Sequence, residues 1–364
     1  MYYTIMKTHM CDIILAGDEN GLSHLHLDTS KGKRVFEIEN DWIYNNEFFK
    51  ETIAQINAYF LGKLKNFNIK LNPRGTEYQK KVWVELSKIP FNETCTYKDI
   101  AVRIGNPKAS RAIGMANSKN PIPLIVPCHR VIGSNGKLTG FAHGLEIKEK
   151  LIRFEKISTA YNILLGYYGN LNWWPADSDY EMMVGAVLTQ NTSWGNAAMA
   201  IANLGKKLLP EKIMEMETDE LAELIKPSGY YNQKALKIKA LTRWFQSYDF
   251  KIEAAMEIEA EALRKELLNV NGIGKETADC ILTYSLKTPY FVIDTYTRRF
   301  FKRLGFGVPA DYDEFRTMIE SVLKKDVDIY NRYHAMIVEH SKQFCTKVPV
   351  CDGCPLYDLC EKNI

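Results

Sequence analysis

Three groups of residues in this 364-residue chain carry side chains able to do chemistry. Pro127-Cys128-His129-Arg130-Val131 sets a thiol beside an imidazole and a guanidinium. A thiolate is a nucleophile, and nearby bases or cations raise its population. Sequence neighbours need not have touching side chains, so taken alone the pair also fits a buried structural cysteine. The second group is Leu268-Asn269-Val270-Asn271-Gly272-Ile273-Gly274-Lys275, followed by Val292-Ile293-Asp294-Thr295. Gly-X-Gly between helical patterns lets backbone amides approach an anion, and the next helix begins with free N–H groups. Asp294 by itself reads as a helix N-cap. The third group is Cys345-x5-Cys351-x2-Cys354-x5-Cys360, whose four thiolates can hold zinc or an iron–sulfur cluster. Cys11, Cys95 and Cys280 read as small buried apolar residues.

The elements that must position these groups differ along the chain. To about Leu71, short apolar runs and turns such as Gly17-Asp18-Glu19-Asn20-Gly21 predict a small α/β element, with a helix around Glu47 to Leu61 and no chemistry of its own. From Asn72 the spacing predicts helices over Thr76–Ser87, Tyr97–Ile104 and Lys108–Ser118, the last two about a tight turn as in a helix-turn-helix. Pro121, Pro123 and Pro127 forbid a long helix across Cys128, and Ile147, Leu151 and Phe154 mark a closing helix. From about Ser158 nearly every segment is helical, through Ala160–Tyr168, Tyr180–Leu188, Ala197–Leu209, Glu220–Ile225, Ala235–Phe245 and Thr277–Ser285. A formal net charge of +3 does not announce a nucleic-acid binder, so any basic surface must be local. The N-terminus lacks a signal-peptide core, and no run of eighteen apolar residues marks a membrane span. The expected compartment is the cytoplasm of a prokaryote, near the nucleoid, and a cysteine cluster there reads as metal binding.

Asn120-Pro121-Ile122-Pro123-Leu124-Ile125-Val126 and the cysteine segment after it, through Ile132-Gly133, closely resemble the active-site segment of the 6-O-alkylguanine-DNA alkyltransferases. Ile89-Pro90-Phe91, Thr96-Tyr97, Gly105-Asn106-Pro107-Lys108, Ser110-Arg111-Ala112 and Gly140-Phe141 extend the likeness, which is strong over about Asn72 to Lys156. The resemblance implies that Cys128 accepts the alkyl group, with His129 as its base through a water and Glu155 orienting the histidine. It implies that Tyr97 donates to the departing guanine, Asn120 braces the turn, and Arg111 fills the gap left by the flipped nucleotide. No cofactor is needed for that transfer. Ala142 stands where many relatives carry a hydroxyl residue and His143 where glycine is common. A larger side chain at 143 is expected to narrow the pocket and favour small alkyl groups.

The hairpin followed by Asp294 resembles the helix-hairpin-helix DNA glycosylases of the endonuclease III superfamily, and Leu188-Thr189-Gln190-Asn191-Thr192 and Gly229-Tyr230-Tyr231-Asn232-Gln233-Lys234-Ala235 match it too. By this resemblance Asp294 stabilises the cationic sugar or activates water, and Gln190 and Tyr230 lie at the lesion gap. Glu276 occupies the register of the lysine in lyase-competent relatives, and Lys275, one residue early, is rotated by about 100° on a helix. A carboxylate forms no Schiff base, so a monofunctional glycosylase is expected. Trp173-Trp174-Pro175 resembles the 3-methyladenine branch, whose aromatic residues line the base pocket. Tryptophan faces attract a cationic N-alkylated purine by roughly 0.5–2 kcal/mol. The superfamily implies a structural 4Fe–4S cluster on Cys345, Cys351, Cys354 and Cys360, although its usual first gap is one residue longer.

The expected fold is therefore multidomain. Residues 1–71 form an α/β N-terminal subdomain, 72–157 an alkyltransferase active-site domain with a winged helix-turn-helix character, and 158–364 an all-α helix-hairpin-helix glycosylase with the cysteine loop at 345–360. The expected function is alkylation repair by two chemistries on double-stranded DNA, with a downstream AP endonuclease acting on the product. Two alternatives stand beside it: a glycosylase half for oxidised or mismatched bases, or a lesion-binding sensor. Oligomeric state is not legible in the sequence.

Overall fold

The computed structural model describes residues 1–29, 32, 34–171 and 173–362. They form two compact units, Met1–Ile163 with Ser321–Lys324 and Leu164–Glu320 with Lys325–Ile364. In the first unit β1 (Tyr2–Lys7), β2 (Asp12–Asp18), β3 (Gly21–Asp28) and β4 (Ile43–Tyr44) make one sheet in the order β3-β2-β1-β4. β2 pairs antiparallel with β1 and β3, while β4 joins β1 in parallel. The β2 run Ile13-Ile14-Leu15-Ala16 is buried throughout, as a central strand requires. Helix α1 (Lys50–Phe60) follows.

Six short elements then build the face that carries Cys128. Helix α2 (Glu77–Ser87) opens on a capping box in which Thr76 and Gln79 satisfy each other's backbone N–H, and α3 (Tyr97–Arg103) repeats the device with Thr96 and Asp99. A turn at Gly105, φ +80°, leads to α4 (Ser110–Ser118). Trp83 ties α2 to α4 by donating from Nε1 to the Ala116 carbonyl at 2.9 Å. After α4 the prolines keep the chain irregular until one 3-10 turn at Cys128–Arg130. β5 (Cys95–Thr96) pairs in parallel with β6 (Val131–Ile132), so Tyr97 and the cysteine turn share one edge.

α5 spans Leu145–Tyr168 as a single helix. The sequence reading separated a closing helix from a second one beginning at Ala160. No proline interrupts the stretch, its one glycine, Gly166, lies in the last turn, and buried Phe154, Ile157, Ala160 and Leu164 continue the apolar stripe without a break.

The second unit is all-helical among its described residues: α6 (Asp179–Leu188), α7 (Trp194–Leu204), α8 (Pro210–Glu215), α9 (Thr218–Leu224), α10 (Tyr231–Gln246), α11 (Ile252–Met256), α12 (Ala260–Asn269), α13 (Lys275–Cys280), α14 (Thr295–Arg303), α15 (Tyr312–Glu320) and α16 (Val327–Gln343). α12, the Val270–Gly274 turn and α13 form the helix-hairpin-helix. Its core gathers Met183, Val187, Leu188, Ile238, Leu241, Leu267 and Ile281, among others. Ile281–Ser285 continues α13 as a π-helix, a wider turn that often marks functional sites. No described helix is long and apolar enough to cross a membrane.

Candidate active sites

Cys128 sits at the start of its 3-10 turn, 3% exposed, with its N–H donating to the Val126 carbonyl at 2.7 Å. Asn120 spans the turn that leads there: its side chain donates to the Val126 carbonyl at 2.8 Å and accepts from the Ile122 N–H at 3.0 Å. Burial pushes the Cys128 thiol up, while Asn120, Lys148 and Arg34 pull against that. The resting group is therefore a thiol that must lose its proton as it attacks.

His129 is fully buried, and its Nε2 lies 2.9 Å from Glu155 Oε1. A carboxylate acceptor at Nε2 places the ring proton there and leaves Nδ1 as the basic nitrogen. Nδ1 is buried with no protein hydrogen-bond partner, so it is the atom free to take a proton. Burial lowers the His129 pKa, with the Glu155 charge opposing.

Glu155 is the hub of the site. It accepts from Tyr59 Oη at 2.7 Å, the Asn92 N–H at 3.0 Å and Arg130 Nη2 at 2.8 Å, as well as from His129. Burial alone would raise its pKa, but His129 and Arg130 outweigh it and bring it down to about 2. Arg130 Nη1 also donates to the Ile89 carbonyl at 2.6 Å.

An open groove is lined by Arg34, Tyr97, Arg111, Gly114, Phe141 and Ala142, among others, and of these Arg34 and Tyr97 lie within electrostatic reach of the buried thiol. Arg111 projects from the exposed face of α4. Tyr97 Oη donates to the carbonyls of Thr139 (3.1 Å) and Gly140 (3.3 Å). Lys148 Nζ, fully buried, donates to the same two carbonyls (2.8 and 3.4 Å) and to Val131 (2.6 Å). Burial brings the Lys148 pKa down to about 8.

His143 does not narrow this groove. Its Nδ1 donates to the Leu27 carbonyl at 3.0 Å and its ring packs on His26 at 4.9 Å, so the side chain is buried against β3. A polar ring beside a strand carbonyl finds its hydrogen bond there, and Ala142 is left as the groove wall. Sequence reasoning also missed Tyr59, Arg34 and Lys148, and called the first subdomain free of chemistry. Lys148 carried a usable signal: it lies two helical turns before Glu155, on the stripe that α5 buries. Cys95 and Cys280 are buried as expected, but Cys11 is only half-buried.

In the second unit Asp294 is both a helix cap and a candidate catalytic carboxylate. Oδ1 accepts from the Thr297 N–H at 2.7 Å at the start of α14, and Oδ2 lies 3.4 Å from His334 Nε2. Burial pushes the carboxyl up, but His334 and the Thr297 amide outweigh it and hold it below its ordinary value. Glu276, in the first turn of α13, is driven up to about 7 by the protein around it and by the Asp294 charge, yet keeps contact with solvent. Lys275 is bound elsewhere, with Nζ 2.6 Å from Asp313 Oδ2 and 3.4 Å from Asp311 Oδ2.

Gly272 adopts φ +85°, which suits glycine alone, whereas Gly274 has ordinary negative φ. Gln190 is held to the hairpin: Nε2 donates to the Gly272 carbonyl (3.1 Å) and Thr277 Oγ1 (3.0 Å), and Oε1 accepts from Lys237 (2.6 Å). Tyr230 is 67% exposed on left-handed backbone, φ +48°, ahead of α10. Trp174 packs between Trp194 (5.5 Å) and Tyr284 (5.3 Å), while the face of Trp173 carries the Lys342 ammonium at 4.9 Å.

Cys345, Cys351, Cys354 and Cys360 line one cavity with Phe300, Leu304 and His340. Arg303 Nη1 donates to Cys345 Sγ at 3.2 Å, and Nη1 and Nη2 hold the carbonyls of Thr346 (2.7 Å) and Lys347 (3.0 Å). Arg299 Nε donates to the Cys345 carbonyl at 2.6 Å. Among the described residues, no three His, Cys, Asp or Glu side chains are grouped to hold a single metal ion.

A buried thiol beside a helix-turn-helix, and a largely buried carboxylate behind a helix-hairpin-helix, are the candidate sites of a DNA repair enzyme with two catalytic domains. Residues 1–73 match the ribonuclease-like domain and 77–157 the DNA binding domain of the 6-O-methylguanine DNA methyltransferases, and 184–325 match the HhH-GPD superfamily of base excision DNA repair proteins. A methylated-DNA–protein-cysteine methyltransferase of Methanosarcina acetivorans is 56% identical over 155 residues, 43% of this chain and 98% of its own. A candidate DNA repair glycosylase of Methanocaldococcus jannaschii is 49% identical over 213 residues, 57% of this chain and 97% of its own. The fold of the helical unit is also that of endonuclease III in a non-covalent DNA complex, at 21% identity and a TM-score of 0.50, covering 58% of this chain and 96% of that one. The chain belongs to the 6-O-methylguanine DNA methyltransferase family in its first part and to the HhH-GPD superfamily in its second.

Proposed function

We propose that this protein repairs alkylated double-stranded DNA twice over. Residues 1–157 transfer a methyl group from 6-O-methylguanine to Cys128, and residues 158–364 hydrolyse the N-glycosidic bond of N-alkylated purines through Asp294. The observation that carries the first half is the buried Glu155–His129 pair, whose imidazole follows Cys128 on the same 3-10 turn and keeps Nδ1 unpartnered. Glu155 holds the ring tautomer, Nδ1 takes the thiol proton through a water, and the thiolate sulfur forms its bond to the methyl carbon as the carbon–oxygen bond breaks. The proton passes to the guanine. Tyr97 leaves its carbonyl partners to donate toward the base, and Arg111 fills the vacated stack. A thioether is a poor leaving group, so each molecule acts once. Incubation with a duplex bearing one 6-O-methylguanine adds one methyl to the intact protein. No gain in mass, or a gain that survives Cys128→Ala, contradicts the assignment.

For the second half, Asp294 faces the cationic sugar that forms as the base departs, and the hairpin amides around Gly272 and Gly274 hold a phosphate. Gln190 steadies that hairpin and exposed Tyr230 serves as the wedge. Lys275 is neutralised by Asp311 and Asp313, and Glu276 offers no amine. Cleavage is therefore hydrolytic, and an AP endonuclease takes the abasic product. Borohydride with any excised lesion traps no protein–DNA adduct; a trapped adduct overturns this. The 3-methyladenine preference rests on the Trp173-Trp174 segment and on the ease with which N-alkylated purines leave. Because Lys342 covers Trp173, the pocket face falls to Trp174 and Tyr284.

The four cysteines fit a 4Fe–4S cluster. The four residues line a common cavity, where Arg303 donates to Cys345 Sγ and Arg299 to the Cys345 carbonyl. Such a cluster supplies structural cross-linking of the 345–360 loop.

A further inference from the structure

The helical unit contains a buried imidazole that its hairpin and its aspartate do not explain. His334, in the middle of α16, is 4% exposed. On one side its Nε2 lies 3.4 Å from Asp294 Oδ2, without the alignment of a full hydrogen bond to any partner. On the other, its Nδ1 lies 2.6 Å from Tyr284 Oη. Tyr284 belongs to the π-helical turn Ile281–Ser285 and packs against Trp174 with ring centroids 5.3 Å apart.

The order of protons in this chain is determined. Burial drives the Tyr284 hydroxyl far up, so it keeps its proton and donates it to Nδ1. The ring proton is then on Nε2, directed at Asp294. The opposite tautomer would turn a lone pair toward a carboxylate. Asp294 thus accepts the Thr297 amide at Oδ1 and has the His334 Nε2 at 3.4 Å from Oδ2.

We propose that His334 is a positioning residue for base excision, which holds Asp294 ionised and aimed at the sugar, and that Tyr284 fixes its tautomer and links it to the Trp174 wall of the base pocket. This rests on the reading of Asp294 as the catalytic carboxylate. The role differs from core packing, because a packing histidine does not set the protonation of its neighbour. The other groups that bear on Asp294 are Glu276 and Cys280 of α13, together with Tyr284 itself. Glu276, its own carboxyl driven up by burial and by the Asp294 charge, is the acid nearest in influence, and His334 is the proton donor that favours ionisation of Asp294.

The test uses the full chain, duplex DNA carrying radiolabelled N-methylpurines, and single-turnover release measured from acid to neutral pH. Oxidised-base and mismatched duplexes replace the probe if the wild type excises only those. The variants are Asp294→Asn, His334→Phe, His334→Gln and Tyr284→Phe, each with a thermal melt. His334→Phe lowers the rate on the order of tenfold to a hundredfold and moves the acid limb of the profile to higher pH, with DNA affinity unchanged. His334→Gln, which can place an N–H near the same point, recovers most of the rate and returns the limb. Tyr284→Phe shifts the limb the same way by less. An acid limb unmoved in His334→Phe, or no recovery with Gln, overturns the proposal. If His334→Phe does not fold, Gln and Tyr284→Phe decide: wild-type profiles in Tyr284→Phe overturn the relay. Full activity in Asp294→Asn removes the Asp294 reading and this proposal with it, whereas an inactive Asp294→Asn beside a normal His334→Phe removes the proposal alone.

Discussion

At the scale of single residues, Glu155 decides how the alkyltransferase site is built. One carboxylate answers four donors from residues 59, 92, 129 and 130, all buried or nearly so. Glu155→Gln removes the charge that orients His129 and leaves the Arg130 guanidinium buried without its counter-ion. Methyl transfer then falls on the order of a hundredfold or more, and the melting temperature drops, because breaking a buried pair costs about 3–5 kcal/mol. Rapid-quench transfer kinetics and a thermal melt measure the two. The acid response follows from the same residue. With Glu155 held at about 2 against an ordinary 4.5, the folded chain binds that proton less readily than the unfolded chain. Its contribution is complete above the unfolded value and is lost as pH falls through the folded one. Denaturant titrations between neutral pH and pH 2 show a larger loss of stability in wild type than in Glu155→Gln. Cys128 and Glu155 were legible in the sequence because a long motif and its satellites mark them. Tyr59 was not, since nothing local says that a tyrosine ninety-six residues earlier will reach Glu155.

At the scale of elements, capping and proline grammar placed most of the site. The Thr76/Gln79 and Thr96/Asp99 boxes start α2 and α3, and Pro121 to Pro127 keep the Cys128 segment out of helix. Asn120 makes that segment a fixed turn. Asn120→Ala leaves the buried Ile122 N–H without its partner, at a cost of about 1–3 kcal/mol, and leaves the Val126 carbonyl only the Cys128 N–H. Chemical denaturation reports that loss, and transfer slows because the thiol is no longer held at the groove. Wild-type stability and rate in Asn120→Ala would show that the turn holds itself. The π-helical turn at Ile281–Ser285 was not legible: its apolar periodicity reads as ordinary helix, and only the packing of Tyr284 between Trp174 and His334 distinguishes it. The continuity of α5 was hidden for the opposite reason, because a family boundary suggested a break where the apolar stripe has none.

At the scale of the molecule, the chain joins two sites with separate cores. Methylating agents modify both oxygens and ring nitrogens of the bases, so the proposed pairing of chemistries would serve one kind of damage. The division into an α/β-led alkyltransferase and an all-helical glycosylase was visible from the shift in periodicity near Ser158, and the families of both parts from their motifs. The surroundings of the tryptophan segment were less legible. Trp173 carries a lysine on its face, an arrangement that joins residues 173 and 342 and leaves no trace in local sequence. The central claim is that Cys128 and Asp294 run independent chemistries. One reaction tests it most directly: wild type, Cys128→Ala and Asp294→Asn, each incubated with duplexes bearing 6-O-methylguanine and N-methylpurines, with protein mass and free base read from the same tube. The account predicts that Cys128→Ala gains no methyl yet releases base at the wild-type rate within about twofold, and that Asp294→Asn does the reverse. Loss of base release in Cys128→Ala, or of methyl gain in Asp294→Asn, contradicts it.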